Sequence, residues 1–156
     1  MRIAIRRATI DDADEIGEIW LASFRATYPF PPAHPDDDVR AWLRDEHVAT
    51  GSAWVAVDDD RPVALMVLRP GRGGAVGELD QLYVHPGRLG EGIGRELLEL
   101  AKRESPGGLE LYTFQVNARA RRFYERNGFV AEAFGDGSHN EEHQPDVRYA
   151  WRPAGR

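Results

Sequence analysis

Val84-His85-Pro86-Gly87-Arg88-Leu89-Gly90-Glu91-Gly92-Ile93-Gly94-Arg95 is the stretch from which the fold can be read. It joins a strand-like run, Glu78–Val84, to a helical pattern through about Arg103, with Ile93, Leu97, Leu98 and Ala101 on the inner side. A helix start leaves backbone N–H groups with no intrahelical acceptor, and alternate glycines clear away the Cβ atoms that would keep an anion from them. That arrangement suits a polyphosphate. It is not a P-loop, because Ile93-Gly94 follows Gly92 where Gly-Lys-Ser/Thr would be needed. Nor is it a dinucleotide fingerprint, since Leu97 falls where the third glycine belongs. An ordinary glycine-rich strand–helix turn has the same composition.

Working outward, Arg2–Ala8 alternates and predicts a strand. Thr9 with Asp12 three residues on opens a capping pattern, and Ile16, Ile19, Trp20 and Phe24 follow at helical spacing. The proline-rich segment Thr27–Pro35 is a loop. Asp36-Asp37-Asp38 favours a helix N-terminus, with Val39, Trp42 and Leu43 as its apolar face. Ala53–Val57 and Val63–Leu68 read as antiparallel strands joined by the polar turn Asp58–Pro62, and Gly71–Gly74 is a second loop. Leu109–Val116 is a strand, Asn117–Arg126 a helix, and Phe129–Phe134 a strand. The polar loop Gly135–Pro145 precedes a closing strand, Val147–Trp151. Strands alternating with helices in the second half predict parallel pairing there, and the early hairpin makes the sheet mixed.

Composition narrows the function classes. At 156 residues the chain suits one domain, 1–156, because two would each approach the lower size limit for a core. Its 42% hydrophobic content is too high for a disordered chain. No apolar run approaches the roughly 20 residues of a membrane helix, and the first seven residues lack a signal peptide's apolar segment. A cytoplasmic protein with no membrane partner is the expectation. The net charge of −6 argues against nucleic acid. With no cysteine there is no thiol nucleophile and no Cys-based zinc site, and no metal site is expected.

A second constellation lies in Asn117-Ala118-Arg119-Ala120-Arg121-Arg122-Phe123-Tyr124-Glu125-Arg126-Asn127-Gly128-Phe129. Asn117 and Tyr124 are two helical turns apart and share a face with Ala120, whereas Phe123 is expected to point toward the core. Such a face can border a ligand channel, or Tyr124 can simply be packed with its hydroxyl tip in water.

In order and separation, Glu78–Pro86, Gly90–Arg95 and Asn117–Phe129 resemble the GNAT superfamily of N-acetyltransferases. Ile5-Arg6-Arg7-Ala8-Thr9 and the following helix resemble its usual start, so the likeness covers nearly the whole chain. The resemblance implies an α/β GNAT-like fold with a central mixed, twisted sheet of about seven strands flanked by about four helices. It implies an enzyme that moves an acetyl group from acetyl-CoA to a primary amine of a small molecule or peptide, by direct attack in a ternary complex. It makes Glu78 the general base, directly or through water. Asp80, on the same strand face, is the other candidate. It makes Leu82 the backbone donor to the thioester oxygen, Val84 the pantetheine contact and Tyr124 the proton donor to the coenzyme sulfur. Tyr83, Asn117 and the loop residues Leu89, Gly90, Glu91, Gly92, Ile93, Gly94 and Arg95 complete the expected coenzyme site. The family loop usually begins with Gln or Arg, and this chain has Leu89 there, with Arg88 one place early.

The acceptor regions of such a protein would carry Trp20, Phe24, Tyr28, Phe30 and Trp42, then Asp136, His139, Asn140, Glu141, Glu142 and Asp146. Aromatic faces with carboxylates suit a cation. Two other readings stay open: a non-catalytic acyl-CoA-binding or regulatory module, which would not need Glu78 or Tyr124, and a homodimer whose second protomer completes the site.

Overall fold

The computed structural model describes residues 3–153, so Arg2 of the expected first strand lies outside the described residues. Seven strands run in the order β1-β2-β3-β4-β5-β7-β6, numbered along the chain, and four α-helices accompany them. The expected mixed α/β fold is found. The strands are β1 (Ile3–Arg7), β2 (Ala53–Asp58), β3 (Arg61–Arg69), β4 (Gly77–Val84), β5 (Leu109–Phe114), β6 (Val130–Gly135) and β7 (Asp146–Trp151). The helices are α1 (Ala13–Thr27), α2 (Asp36–Trp42), α3 (Ile93–Glu104) and α4 (Ala118–Arg126). The described chain divides into two compact units, one up to residue 68 together with 81–99, the other from residues 69–80 and from 100 onward.

In the first unit, β1 pairs antiparallel with β2 from Ile3↔Asp58 to Arg7↔Trp54, and β2 pairs antiparallel with β3. The hairpin between β2 and β3 is tighter than the five-residue turn expected. Only Asp59 and Asp60 turn, both at positive φ (48° and 70°), the geometry whose twist matches two right-twisted strands. Asp58 and Arg61, expected in the turn, pair with each other instead. Val63–Leu68 of β3 is buried at every position, as a strand covered on both faces must be. Before α1, the Asp12 carboxylate accepts the Thr9 N–H at 2.7 Å and binds both Arg6 guanidinium nitrogens at 2.7 and 3.0 Å. The helix therefore starts on a 3₁₀ turn, Ile10–Asp12, held by the expected capping residues. After α2 the chain widens into a π-helical turn, Leu43–Val48, that the apolar spacing did not signal; Leu43, His47 and Val48 of this turn are buried.

In the second unit, β5 and β7 pair antiparallel from Leu109↔Trp151 to Phe114↔Asp146, and β6 pairs with β7 around a bulge at Ala131/Ala133. β4 pairs parallel with β5 at Gly77↔Leu109 and Glu78↔Glu110, the parallel contact expected. The β5 strand stops at Phe114, short of the expected Val116, because the Asn117 N–H turns back to the Phe114 carbonyl at 3.0 Å. Leu109, Leu111, Phe129, Val147 and Tyr149 form this unit's core. No helix among the described residues is long and apolar enough to cross a membrane.

Candidate active site

The glycine loop lies in the first unit, between β4 and α3. The first helical bond of α3 runs from the Glu96 N–H to the Gly92 carbonyl at 3.2 Å, so helix geometry leaves the Ile93, Gly94 and Arg95 N–H groups without intrahelical acceptors. Gly90 and Gly92 stand at φ +82° and +84°, where side-chain-bearing residues are strained, and a Cβ on either would meet nothing within 4 Å. Open space in front of helix-start donors is what an incoming pyrophosphate requires, so these residues fit that group. Ile93, Leu97, Leu98 and Ala101 anchor α3 by burying the face the spacing predicted.

Arg88 cannot stand in for the absent Gln or Arg at position 89. Its guanidinium bonds Glu91 through Nε and Nη2 at about 3 Å and Asp58 at 2.9 Å. These contacts, Glu91 first and Asp58 second, raise its already high proton affinity and commit it to bracing the loop against β2. His85 braces the same turn, its Nδ1 accepting the Gly87 N–H at 3.0 Å. Leu89 is 45% exposed and supplies no polar group. At these two positions the loop therefore offers a phosphate its backbone N–H groups rather than a side chain.

In its second half β4 carries Leu82, Tyr83 and Val84, all half-buried. Gln81 and Tyr83 face α1: the Trp20 indole donates to Gln81 at 3.0 Å, and its ring lies 5.8 Å from that of Tyr83. The Val84 carbonyl accepts from Ser23 at 3.1 Å. Trp20 also stacks on Phe24 at 5.0 Å and meets the edge of Trp42 at 6.2 Å, while Phe24 joins Tyr28 and Phe30 at 4.7 and 5.8 Å. The aromatic residues singled out in the sequence thus form one continuous cluster. Asp36, from the same region, is ion-paired to Arg25.

Glu78 and Asp80 lie in the first half of β4, within the second unit. Alternation puts both on the face opposite buried Leu79. Arg69, the last residue of β3, brings them together: its Nη2 lies 2.5 Å from Glu78 Oε1 and 3.4 Å from Asp80 Oδ1. Glu78 is 48% exposed, so its carboxylate is open to solvent. Arg69 was not among the expected site residues, because no local spacing marks a contact nine residues away across a turn.

Asn117 and Tyr124 sit on α4 of the second unit. Asn117 caps the helix, its side-chain oxygen accepting the Ala120 N–H at 3.0 Å. Phe123, expected to point toward the core, is only half-buried, and Tyr124 is the packed ring of the two, at 7% exposure. The cause is the turn after α4. Phe129 folds back so that its N–H reaches the Tyr124 carbonyl at 3.0 Å and its ring packs 5.5 Å from that of Tyr124. Behind Tyr124, at 6.1 Å between rings, lies the fully buried Tyr149. Its hydroxyl donates to Glu125 at 2.6 Å and accepts from Arg121 at 3.1 Å. Burial first, and then the Glu125 acceptor, push this hydroxyl up from its ordinary value against the pull of Arg121, so it stays a neutral donor. Among the described residues no group of three His, Asp or Glu side chains could hold a metal ion.

Comparison with known proteins completes the picture. The model of the acetyltransferase (GNAT) family matches residues 13–129. A peptidyl-lysine N-acetyltransferase, YjaB of Salmonella typhimurium, is 34% identical over 134 residues, covering 83% of this chain and 84% of that protein. The solution structure of apo-form YjaB from Escherichia coli superposes with a TM-score of 0.77 at 28% identity, over 97% of this chain and 98% of the other. A PaiA N-acetyltransferase from Thermoplasma acidophilum, solved in complex with coenzyme A, shares the fold with a TM-score of 0.75 at 22% identity, covering 98% of this chain and all of that one.

Proposed function

Because this chain belongs to the acetyltransferase (GNAT) family and is an acetyl-CoA-dependent N-acetyltransferase, we propose that its acceptor is the side-chain amine of a peptide lysine. The pairing of Glu78 and Asp80 upstream of Leu82 on one strand carries the amine-transfer reading, because a lysine arrives as an ammonium and must lose a proton before it can attack. A relative that acts on peptidyl lysine supports the choice of acceptor.

In this reading the coenzyme pyrophosphate sits on the N–H groups at the start of α3. The Leu82 N–H donates to the thioester oxygen, with Tyr83 and Val84 beside the pantetheine. Glu78 and Leu82 are four residues apart, roughly 13 Å along a strand, so the ammonium proton passes to Glu78 through intervening water. The neutral nitrogen then attacks the carbonyl carbon, and the C=O pair moves onto oxygen as an oxyanion held by the Leu82 N–H. Collapse breaks the C–S bond and leaves an amide. The thiolate takes its proton from Tyr124, and the amide nitrogen loses its remaining extra proton to solvent. Asn117 holds α4, and with it Tyr124, in place.

The test is a screen of lysine peptides, peptides with a free α-amine and small amines, read by thiol release and by mass of the product. Lysine peptides should release thiol and gain one acetyl on the side chain. Release with small amines alone would refute the peptide assignment. Glu78→Gln should lower kcat/KM by roughly 10²–10⁴-fold, less at high pH where more amine is already neutral. A small, pH-independent loss would move the role to Asp80.

A further inference from the structure

Resting on the reading of Glu78 as base, we propose that Arg69 is the positioning residue that holds this base in its working geometry. One guanidinium nitrogen touches both carboxylates, so their oxygens lie within roughly 6 Å of each other. Two like charges that close on a solvent-open strand face repel, and a half-exposed glutamate with three rotatable bonds would swing away. Arg69 opposes both tendencies at once.

The backbone around this contact is built to hold it. A Cβ on Gly77, the residue before Glu78, would stand 2.7 Å from the Arg69 carbonyl and 2.5 Å from Ser105 Oγ, so the chains meet at a distance only glycine allows. Fully buried Ser105 accepts the Gly71 N–H at 3.0 Å and donates to the Gly108 carbonyl at 2.9 Å. The Gly77 N–H also donates to the Gly108 carbonyl, at 2.9 Å. The turn leaving Arg69 and the strand entering Glu78 are thus tied to one buried hydroxyl and one carbonyl. A short ion pair between two anchored backbones has little freedom to wander.

The neighbouring charges explain why a dedicated cation is needed. Glu110 of β5 is in register beside Glu78 and adds a third carboxylate. Arg148 of β7 lies 3.8 Å from Glu110 and 3.9 Å from Glu132, and Arg152 lies 2.5 Å from Glu132. Those arginines serve β5 and β6, and Arg69 serves β4.

The experiment is a double-mutant cycle on the purified enzyme, with acetyl-CoA and its best amine acceptor. Arg69→Met should lower kcat/KM on the order of 10-fold, the scale of a misplaced catalytic group, with the melting temperature and acetyl-CoA affinity near wild type. Arg69→Lys should recover most of that loss, since it returns the charge within reach of both carboxylates. In a Glu78→Gln background Arg69→Met should cost less than about twofold, because the group it positions is gone. Full activity of Arg69→Met, or losses that multiply in the double variant, would overturn the positioning role while leaving Glu78 as base. Wild-type activity of Glu78→Gln would overturn the base assignment and this inference with it. Should Arg69→Met fold poorly, Arg69→Gln carries the same comparison.

Discussion

Gly92→Ala separates a coenzyme cradle from an ordinary glycine turn, and the structure provides its control. Gly92 and Gly74 have almost the same positive φ, +84° and +85°, and a Cβ on either meets nothing within 4 Å. Placing alanine at a positive φ costs about 1–2 kcal/mol in each. Gly74 lies in the loop between β3 and β4, whereas Gly92 opens α3. A methyl group at Gly92 would hold a phosphate beyond the roughly 3.2 Å limit of good N–H bonds. Losing one or two charge-assisted bonds, each about 1.5–3 kcal/mol, weakens binding on the order of 100-fold. With acetyl-CoA at about 100 times its wild-type Kd, the ligand stabilises the native enzyme by about 2.7 kcal/mol, a melting shift of roughly 8 °C for a chain this size. Gly92→Ala should cut that shift to roughly 1 °C, while Gly74→Ala keeps nearly all of it. Differential scanning fluorimetry with and without acetyl-CoA reads both. Equal ligand shifts in the two variants would refute the backbone cradle.

Tyr124→Phe removes one hydroxyl from a buried ring and should lower kcat by on the order of 10-fold or more, with the melting temperature moved by only a few degrees. Unchanged kcat in steady-state assays would take Tyr124 out of the mechanism. Asp12→Ala removes the acceptor for the Thr9 N–H and the partner of Arg6; because Arg6 is 42% exposed, the cost is held to about 1–2 kcal/mol, or about 3–8 °C in melting temperature. Arg6 chiefly, then the Thr9 N–H, hold the Asp12 carboxyl below its ordinary range against the effect of burial. Its stabilisation is therefore complete above the unfolded value of about 3.9 and is lost as pH falls through the lower folded value. The gap between wild type and Asp12→Ala should accordingly close in acid, and a gap constant from pH 7 to pH 3 would refute it.

Local periodicity and turn chemistry made much of this molecule legible in the sequence. The inner face of α3, the cap at Asp12, the aromatic residues of α1 and the glycine loop all depend on neighbours within a few residues, where spacing alone sets what can meet. The resemblance to the acetyltransferase family rested on those same segments, and the family match bears it out. Where strands end was less legible. The two-residue turn at Asp59-Asp60 and the stop of β5 at Phe114 depend on which partner strand offers the next hydrogen bond.

The sequence by itself determined the order of elements, the helix-start donors behind Gly90 and Gly92, and the alternation that sets Glu78 and Asp80 on one side of their strand. Tertiary structure decided what those groups touch. It spent Arg88 on Glu91 and Asp58. It buried Tyr124 rather than Phe123, because Phe129 returns over the end of α4. It also set Arg69 against both β4 carboxylates. A helix or strand pattern fixes a side chain's direction within its own element, but the partner is chosen by how the chain returns. That return depends on close backbone approaches such as Gly77 on Ser105, which no periodicity records.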